Sequence, residues 1–145
     1  MAAPTLVPSE LADELLPLAV RLARLLFQEG TGSSRVSRAQ VSVLRVLRDE
    51  GPRRISELAD AEHVAQPTIT KLVARLEHEG LVTRVADPDD GRAVLVGLTP
   101  VGREQLKKMS AAAAAALTRR LEALEAGERA ALRDVLPALE RLIAS

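Results

Sequence analysis

Between Ile55 and Leu98 the hydrophobic pattern changes period, and few folds accommodate the change. Leu58 and Ala59 form the inward side of a short helix over Ile55 to about Glu62, for which Ser56 is the expected N-cap. A turn through His63, Val64 and Ala65 leads to a second helix, from Gln66 to about Glu79, that Gly80 stops. On it Ile69, Leu72, Val73 and Leu76 fall on one stripe. The opposite side carries Gln66, Pro67, Thr68, Thr70, Lys71, Ala74 and Arg75, most of them polar or small. Pro67 sits in the first turn, where a helix tolerates proline. The period then drops to that of a strand. Leu81–Val85 and Val94–Leu98 are β-branched runs joined by a charged link, Ala86 to Arg92, with an Asp-Gly turn signal.

Helices flank this stretch on both sides. Residues 1–9, with Pro4 and Pro8, read as a loose tail. Leu11, Leu15, Leu18, Leu22 and Leu25 then recur as the seam of a helix that packs on another helix, with Pro17 expected to kink it. Gly30, Gly32, Ser33 and Ser34 predict its end and a flexible connector. Ser37 and Gln40 form a capping box, and Val36 with Val41 a hydrophobic staple, for a helix that runs to about Glu50 and stops at Gly51-Pro52. Thr99 and Pro100 open a further helix as N-cap and first residue. It continues through Leu106, Met109, the alanines Ala111 to Ala116, Leu117, Leu121 and Leu124. Because leucines flank the alanine run in phase, it reads as a close helix-packing surface. Gly127 is expected to interrupt this helix; a last one aligns Leu132, Val135, Leu136, Leu139, Leu142 and Ile143, kinked at Pro137.

Composition narrows the function classes. The 145 residues suffice for one domain with an appended dimerisation element. Phe27 is the sole aromatic, so the core is built of Leu, Val and Ala, and single-stranded nucleic acid, which is usually stacked on aromatic rings, is an unfavourable ligand. Cysteine is absent, which excludes disulfides, thiolate metal sites and thiol redox sensing. No secretory leader or uninterrupted apolar span is visible, so a cytoplasmic protein without membrane contact is expected. No nucleophile-and-base pair, phosphate loop or catalytic carboxylate pair stands out, so neither an enzyme nor a cofactor is expected. Asp87, Asp89 and Asp90 lack the further ligands of a calcium loop, and His63 and His78 lack a partner at helical metal spacing, so no metal is expected either. Net charge is zero. Basic and acidic residues number two against four over 1–34, eleven against ten over 35–103 and seven against six over 104–145, so a DNA-binding face must come from sorting charges in space.

The expected fold is mainly α with a small two-stranded β-wing. It is a winged helix-turn-helix over 36–103, flanked by N- and C-terminal dimerisation helices at 10–34 and 104–145, all in a single domain. The leucine seams of the flanking helices have no partner within a lone winged domain, which calls for a second copy.

The runs Ile55-Ser56-Glu57-Leu58-Ala59, Thr68 to Glu77 and Gly80-Leu81-Val82-Thr83-Arg84, closed by Asp87-Pro88-Asp89-Asp90-Gly91-Arg92 and Leu98-Thr99-Pro100-Val101-Gly102-Arg103, resemble the MarR family of bacterial transcription regulators. The resemblance implies a homodimer on double-stranded DNA, reading a pseudo-palindromic operator, and a repressor released by a small aromatic or anionic effector. Gln66, Pro67, Thr68, Thr70 and Lys71 would enter the major groove. Gln66, Thr68 and Thr70 are the base-edge candidates, and Gln can pair bidentately with adenine. Lys71, Arg75, Arg53 and Arg54 suit phosphate contacts, which fix register. Arg92, held by the Asp90 carboxylate, would reach the minor groove and read its shape. The effector crevice would draw on Leu18, Arg21, Leu22, Phe27, Val41 and Arg45.

Two positions depart from the usual motif: His63 replaces the turn glycine and must take an unusual backbone angle, and Ala65 stands at an N-cap without a capping side chain. The neutral charge favours one alternative, a dimeric winged-helix module that binds protein and no specific DNA.

Overall fold

The computed structural model describes residues 7–32 and 36–144. The element order is α1 (Pro8–Thr31), α2 (Arg38–Glu50), α3 (Ile55–Ala61), α4 (Gln66–His78), β1 (Val82–Ala86), β2 (Val94–Leu98), α5 (Pro100–Glu122) and α6 (Ala126–Ala144).

Helix α1 begins earlier than the leucine seam suggests. Pro8 takes the first helical position, where it has no N–H to leave unpaired, and the Glu10 carboxylate accepts the Val7 N–H at 3.4 Å. Residues 1–6 of the expected tail, and Ser33 and Ser34 of the expected connector, lie outside the described residues. Gly30 does not end α1. It lies within the helix, where a Cβ would stand 2.8 Å from the Met109 carbonyl oxygen, so its bareness lets α1 press against α5. Gly32, at φ 50°, ends the helix instead.

The core collects around α2. Val41, Val43, Leu44 and Leu47 are buried against Leu58 of α3, Ile69, Val73 and Leu76 of α4, Val96 of β2 and Leu106 of α5. The capping box at Ser37 forms as its residues dictate: the Gln40 N–H donates to Ser37 Oγ, and Gln40 Oε1 accepts the Ser37 N–H. Helix α3 is not capped by Ser56. Arg54 is its N-cap residue, and Glu57 reaches back to accept the Arg54 N–H at 2.7 Å.

The wing pairs β1 with β2 antiparallel, Val82 opposite Leu98 and Ala86 opposite Val94. Arg53 extends the sheet by one bridge, exchanging backbone hydrogen bonds with Val96 at 3.0 and 2.7 Å. The aspartates, not the Asp-Gly glycine, shape the tip. Asp87 Oδ1 accepts the Asp89 N–H and Asp90 Oδ1 the Arg92 N–H, while Gly91 keeps out of the left-handed region.

Behind the wing, Thr99 caps α5 by accepting the Gly102 N–H, and its own hydroxyl donates to the Gly80 carbonyl at 2.6 Å. The α5–α6 break falls before Gly127, which sits in the first turn of α6. At the break Arg129 donates its guanidinium to the Leu121 carbonyl in the last turn of α5 and to the Leu124 carbonyl in the connector, while Glu128 accepts the Glu125 N–H.

The alanine run serves the packing expected of it, since Ala116 is fully buried and Ala113 faces Gly30 of α1. Neither α1 nor α6 contains a buried residue. Leu16 and Leu18 on α1, and Leu136, Leu142 and Ile143 on α6, are more than half exposed, Ile143 at 85%.

Candidate nucleic-acid interface

Helix α4 separates two faces. Ile69, Val73 and Leu76 are buried and Leu72 is partly so, while Gln66, Pro67, Thr68, Thr70, Lys71 and Arg75 are all exposed. The expected residues thus share one surface. Thr70 donates its hydroxyl to the Gln66 carbonyl at 2.9 Å, which leaves its oxygen lone pairs and methyl to face outward. Among the described residues neither Lys71 nor Arg75 has an ion-pair partner. The helix enters through the irregular turn that the sequence called for. His63 has φ 54°, and the Ala65 N-cap has no side-chain hydrogen bond.

The wing is tied to the start of α3 by Arg54. Its guanidinium donates to Asp87 Oδ2 at 2.6 and 3.1 Å and lies 4.0 Å from Asp90 Oδ2. These bonds raise the pKa of Arg54, and together with the Asp89 N–H they hold the Asp87 carboxyl below the usual carboxylate range. Arg54 is therefore engaged in holding the wing, a role its sequence neighbourhood does not reveal because Asp87 is distant in the chain. Arg53 is also partly engaged, donating to Glu50 Oε2 and to the Pro52 carbonyl, each at 3.2 Å.

Asp90 holds Arg92 through its backbone, Oδ1 accepting the Arg92 N–H at 3.1 Å. The Arg92 side chain is exposed at the wing tip, with no ion pair among the described residues. At the root of the wing, Arg84 pairs with Glu77 at 3.2 Å and so braces β1 against α4.

A cleft of about 470 Å³ lies between α1, α2 and α5, and it revises the expected crevice. Phe27 and Arg45 line it, but Leu18, Arg21, Leu22 and Val41 do not. Val41 is committed to the core at 2% exposure, and Leu18 and Leu22 point outward from α1 at 59% and 46%. Arg21 is exposed on the same helix. Periodicity cannot separate a leucine that faces a second protomer from one that lines a pocket. The cleft is also lined by Arg38, whose guanidinium lies 5.2 Å from the Phe27 ring centroid, and by Leu26, Met109 and Ser110, none of which the sequence pattern singled out for it.

Comparison with known proteins agrees with this architecture. The sequence model of the MarR family matches residues 36–94. The chain is similar to an HTH-type transcriptional regulator of Mycobacterium bovis, at 36% identity over 93% of this chain and 94% of that protein. It is also similar to the HTH-type transcriptional repressor NicR of Pseudomonas putida, at 35% identity over 86% of this chain and 78% of that protein. Among solved structures, Bordetella bronchiseptica BpsR, whose DNA binding is regulated by 6-hydroxynicotinic acid, aligns with a TM-score of 0.59 at 30% identity, over 93% of this chain and 96% of that one. With its sorted recognition helix, its wing and relatives along nearly its whole length, the chain belongs to the MarR family of helix-turn-helix transcription regulators.

Proposed function

We propose that the chain is a homodimeric repressor whose two α4 helices enter successive major grooves of a pseudo-palindromic operator, released by a small aromatic anion. The observation that carries the DNA-binding part is the sorting of α4: an apolar face in the core, and a polar face with two unpaired cations turned to solvent. Gln66, Pro67, Thr68, Thr70 and Lys71 form that face, and Arg75 lies one turn beyond it. Arg92, free at the wing tip, suits a narrow minor groove, with Asp90 fixing the backbone that presents it. A neutral protein can bind DNA on these terms because the cations that meet phosphate are local.

The exposed apolar faces of α1 and α6 support the dimer, since an apolar surface of that extent on a lone protomer marks an interaction site. The cleft supports the effector. Phe27, Leu26 and Met109 offer apolar walls for an aromatic ring, and Arg38 and Arg45 offer charge for a carboxylate. BpsR's regulation by 6-hydroxynicotinic acid is consistent with that chemistry. Because α1 both walls the cleft and bears an exposed face, a ligand preferring one arrangement of the dimer would lower operator affinity by that preference. A cytoplasmic location fits this reading, and no described helix is long and apolar enough to cross a membrane.

The test is binding to random and genome-selected duplexes across a salt series. Arg92→Ala should weaken binding about tenfold or more without changing the sedimentation of the dimer. Negligible wild-type binding to both duplexes at low salt sinks the DNA reading, and unchanged affinity in Arg92→Ala sinks the wing's part in it.

A further inference from the structure

We propose that the groove between the N-terminus of α2 and the outward face of α4 seats one phosphodiester of the DNA backbone, with the buried Gln40 amide as its floor. The proposal rests on the DNA-binding reading above and adds a contact residue that lies outside the recognition helix.

Gln40 is 2% exposed, and only one end of its amide is used. Its oxygen accepts the Ser37 N–H at 2.8 Å. That partner is a donor, so it dictates which end of the amide faces it. The nitrogen is left on the other side, buried and with no hydrogen-bond partner among the described residues. The cap does not need that nitrogen, because a glutamate completes a capping box equally well through its oxygen. A buried N–H₂ with nothing to accept from it is unfavourable, and an acceptor arriving from outside relieves the deficit.

The surroundings specify what kind of acceptor fits. Gln40 lines a groove of about 270 Å³ with Ser37, Pro67, Thr68, Lys71 and Arg75. Lys71 and Arg75 stand one helical turn apart, both exposed and without an ion pair among the described residues. The N-terminus of the 13-residue helix α2 reaches the same groove through Ser37 and Gln40, which brings the positive end of its dipole to it. Donors and cations thus converge on a space whose described lining contains no carboxylate.

A phosphodiester satisfies this arrangement. One non-bridging oxygen accepts from Gln40 Nε2, and the other meets Lys71 and Arg75, whose long exposed side chains part to admit it. Free phosphate shares this chemistry, but the groove's second wall is Pro67 and Thr68, which belong to the base-facing side of α4. When a recognition helix lies in the major groove, the strand that borders it runs beside that wall.

The experiment compares wild type, Gln40→Glu and the double variant Lys71→Gln/Arg75→Gln on a selected and a random duplex over a salt series. Gln40→Glu keeps the capping oxygen, replaces the donor by an acceptor and adds a negative charge to the groove. It should bind both duplexes about tenfold or more weakly, with the ratio between them unchanged, and its buried carboxylate oxygen should lower the thermal midpoint modestly. The double variant should lower the salt slope by about two. In ¹⁵N-labelled wild type, the Gln40 side-chain amide resonances should shift on adding duplex, and the shift should vanish when the bordering phosphate is replaced by a neutral methylphosphonate. Unchanged affinity in Gln40→Glu overturns the proposal, as does an altered preference between duplexes. An amide that responds to inorganic phosphate but not to duplex overturns it too, by assigning the groove to a free anion. If wild type itself binds neither duplex, the DNA-binding reading has failed and this contact falls with it. Wild-type binding with an indifferent Gln40 removes the contact alone.

Discussion

Replacing Gly102 by alanine should loosen the joint between the wing and α5. A Cβ at Gly102 would stand 2.2 Å from the Leu81 carbonyl oxygen and 2.7 Å from Leu98 Cδ1. The leucine methyl can rotate away, but the carbonyl is backbone and accepts the Thr99 N–H at 3.1 Å. The first turn of α5 must therefore back away from the start of β1, stretching that bond. Overpacking of this kind costs about 1–3 kcal/mol, and losing the hydrogen bond about 1 kcal/mol more. Alanine's helix preference returns about 1 kcal/mol. The net loss, about 1–3 kcal/mol, corresponds to a fall in thermal midpoint of roughly 4–12 °C for a chain of this size. Far-ultraviolet circular dichroism at fixed protomer concentration measures it, because association shifts the midpoint. Gly127→Ala is the matched control. It places a methyl on α6 where nothing lies within 4 Å, so its midpoint should hold or rise. If Gly102→Ala melts at or above Gly127→Ala, the close approach of α5 to Leu81 is not a constraint and the reasoning is wrong.

Two further outcomes bear on the wing and the dimer. Asp87 is held below its ordinary pKa by Arg54 and the Asp89 N–H. Its contribution to stability is therefore present above the unfolded carboxyl value and is lost as pH falls through the lowered folded value. Wild type should lose stability through that acid window more steeply than Asp87→Asn, and parallel curves would contradict the clamp. Leu136, 54% exposed on α6, should be essential to association. Leu136→Glu should sediment as a monomer at concentrations where wild type is dimeric, and a persistent dimer would take α6 out of the interface.

Local signals were legible where they involve residues within a turn of each other. Ser37 with Gln40, Thr99 with Pro100 and the apolar stripe of α4 each determine their own element, and the structure follows them. The unusual angle at His63 was legible for the same reason. Ser56 misled because it is a good cap by type, whereas Glu57 reaching back to Arg54 set the cap one residue earlier than the helix itself begins. Gly127 misled similarly, since the break between α5 and α6 falls before it, where Arg129 folds back onto the Leu121 and Leu124 carbonyls. What no local pattern carries is pairing across the fold. Arg54 with Asp87, Arg53 with Val96 and Arg38 over Phe27 became visible only when the elements were brought together. The lining of the cleft was the least legible part, because the leucine seam of α1 does not show which of its members turn outward, as Leu11, Leu18 and Leu22 do.

Helices α1 and α6, of 24 and 19 residues, contain no fully buried residue, although Phe27 of α1 packs partly buried against the core. Helices are held in proteins chiefly by the packing of an apolar face. In the proposed dimer, these two complete that packing only when protomers meet, which makes pairing and the last stage of folding a single bimolecular event. An unpaired protomer would then carry an uncovered apolar helix face at each end, open to proteolysis. Operator occupancy would rise with more than the first power of protein copy number, so dilution during growth would lift repression more abruptly than loss of DNA affinity alone.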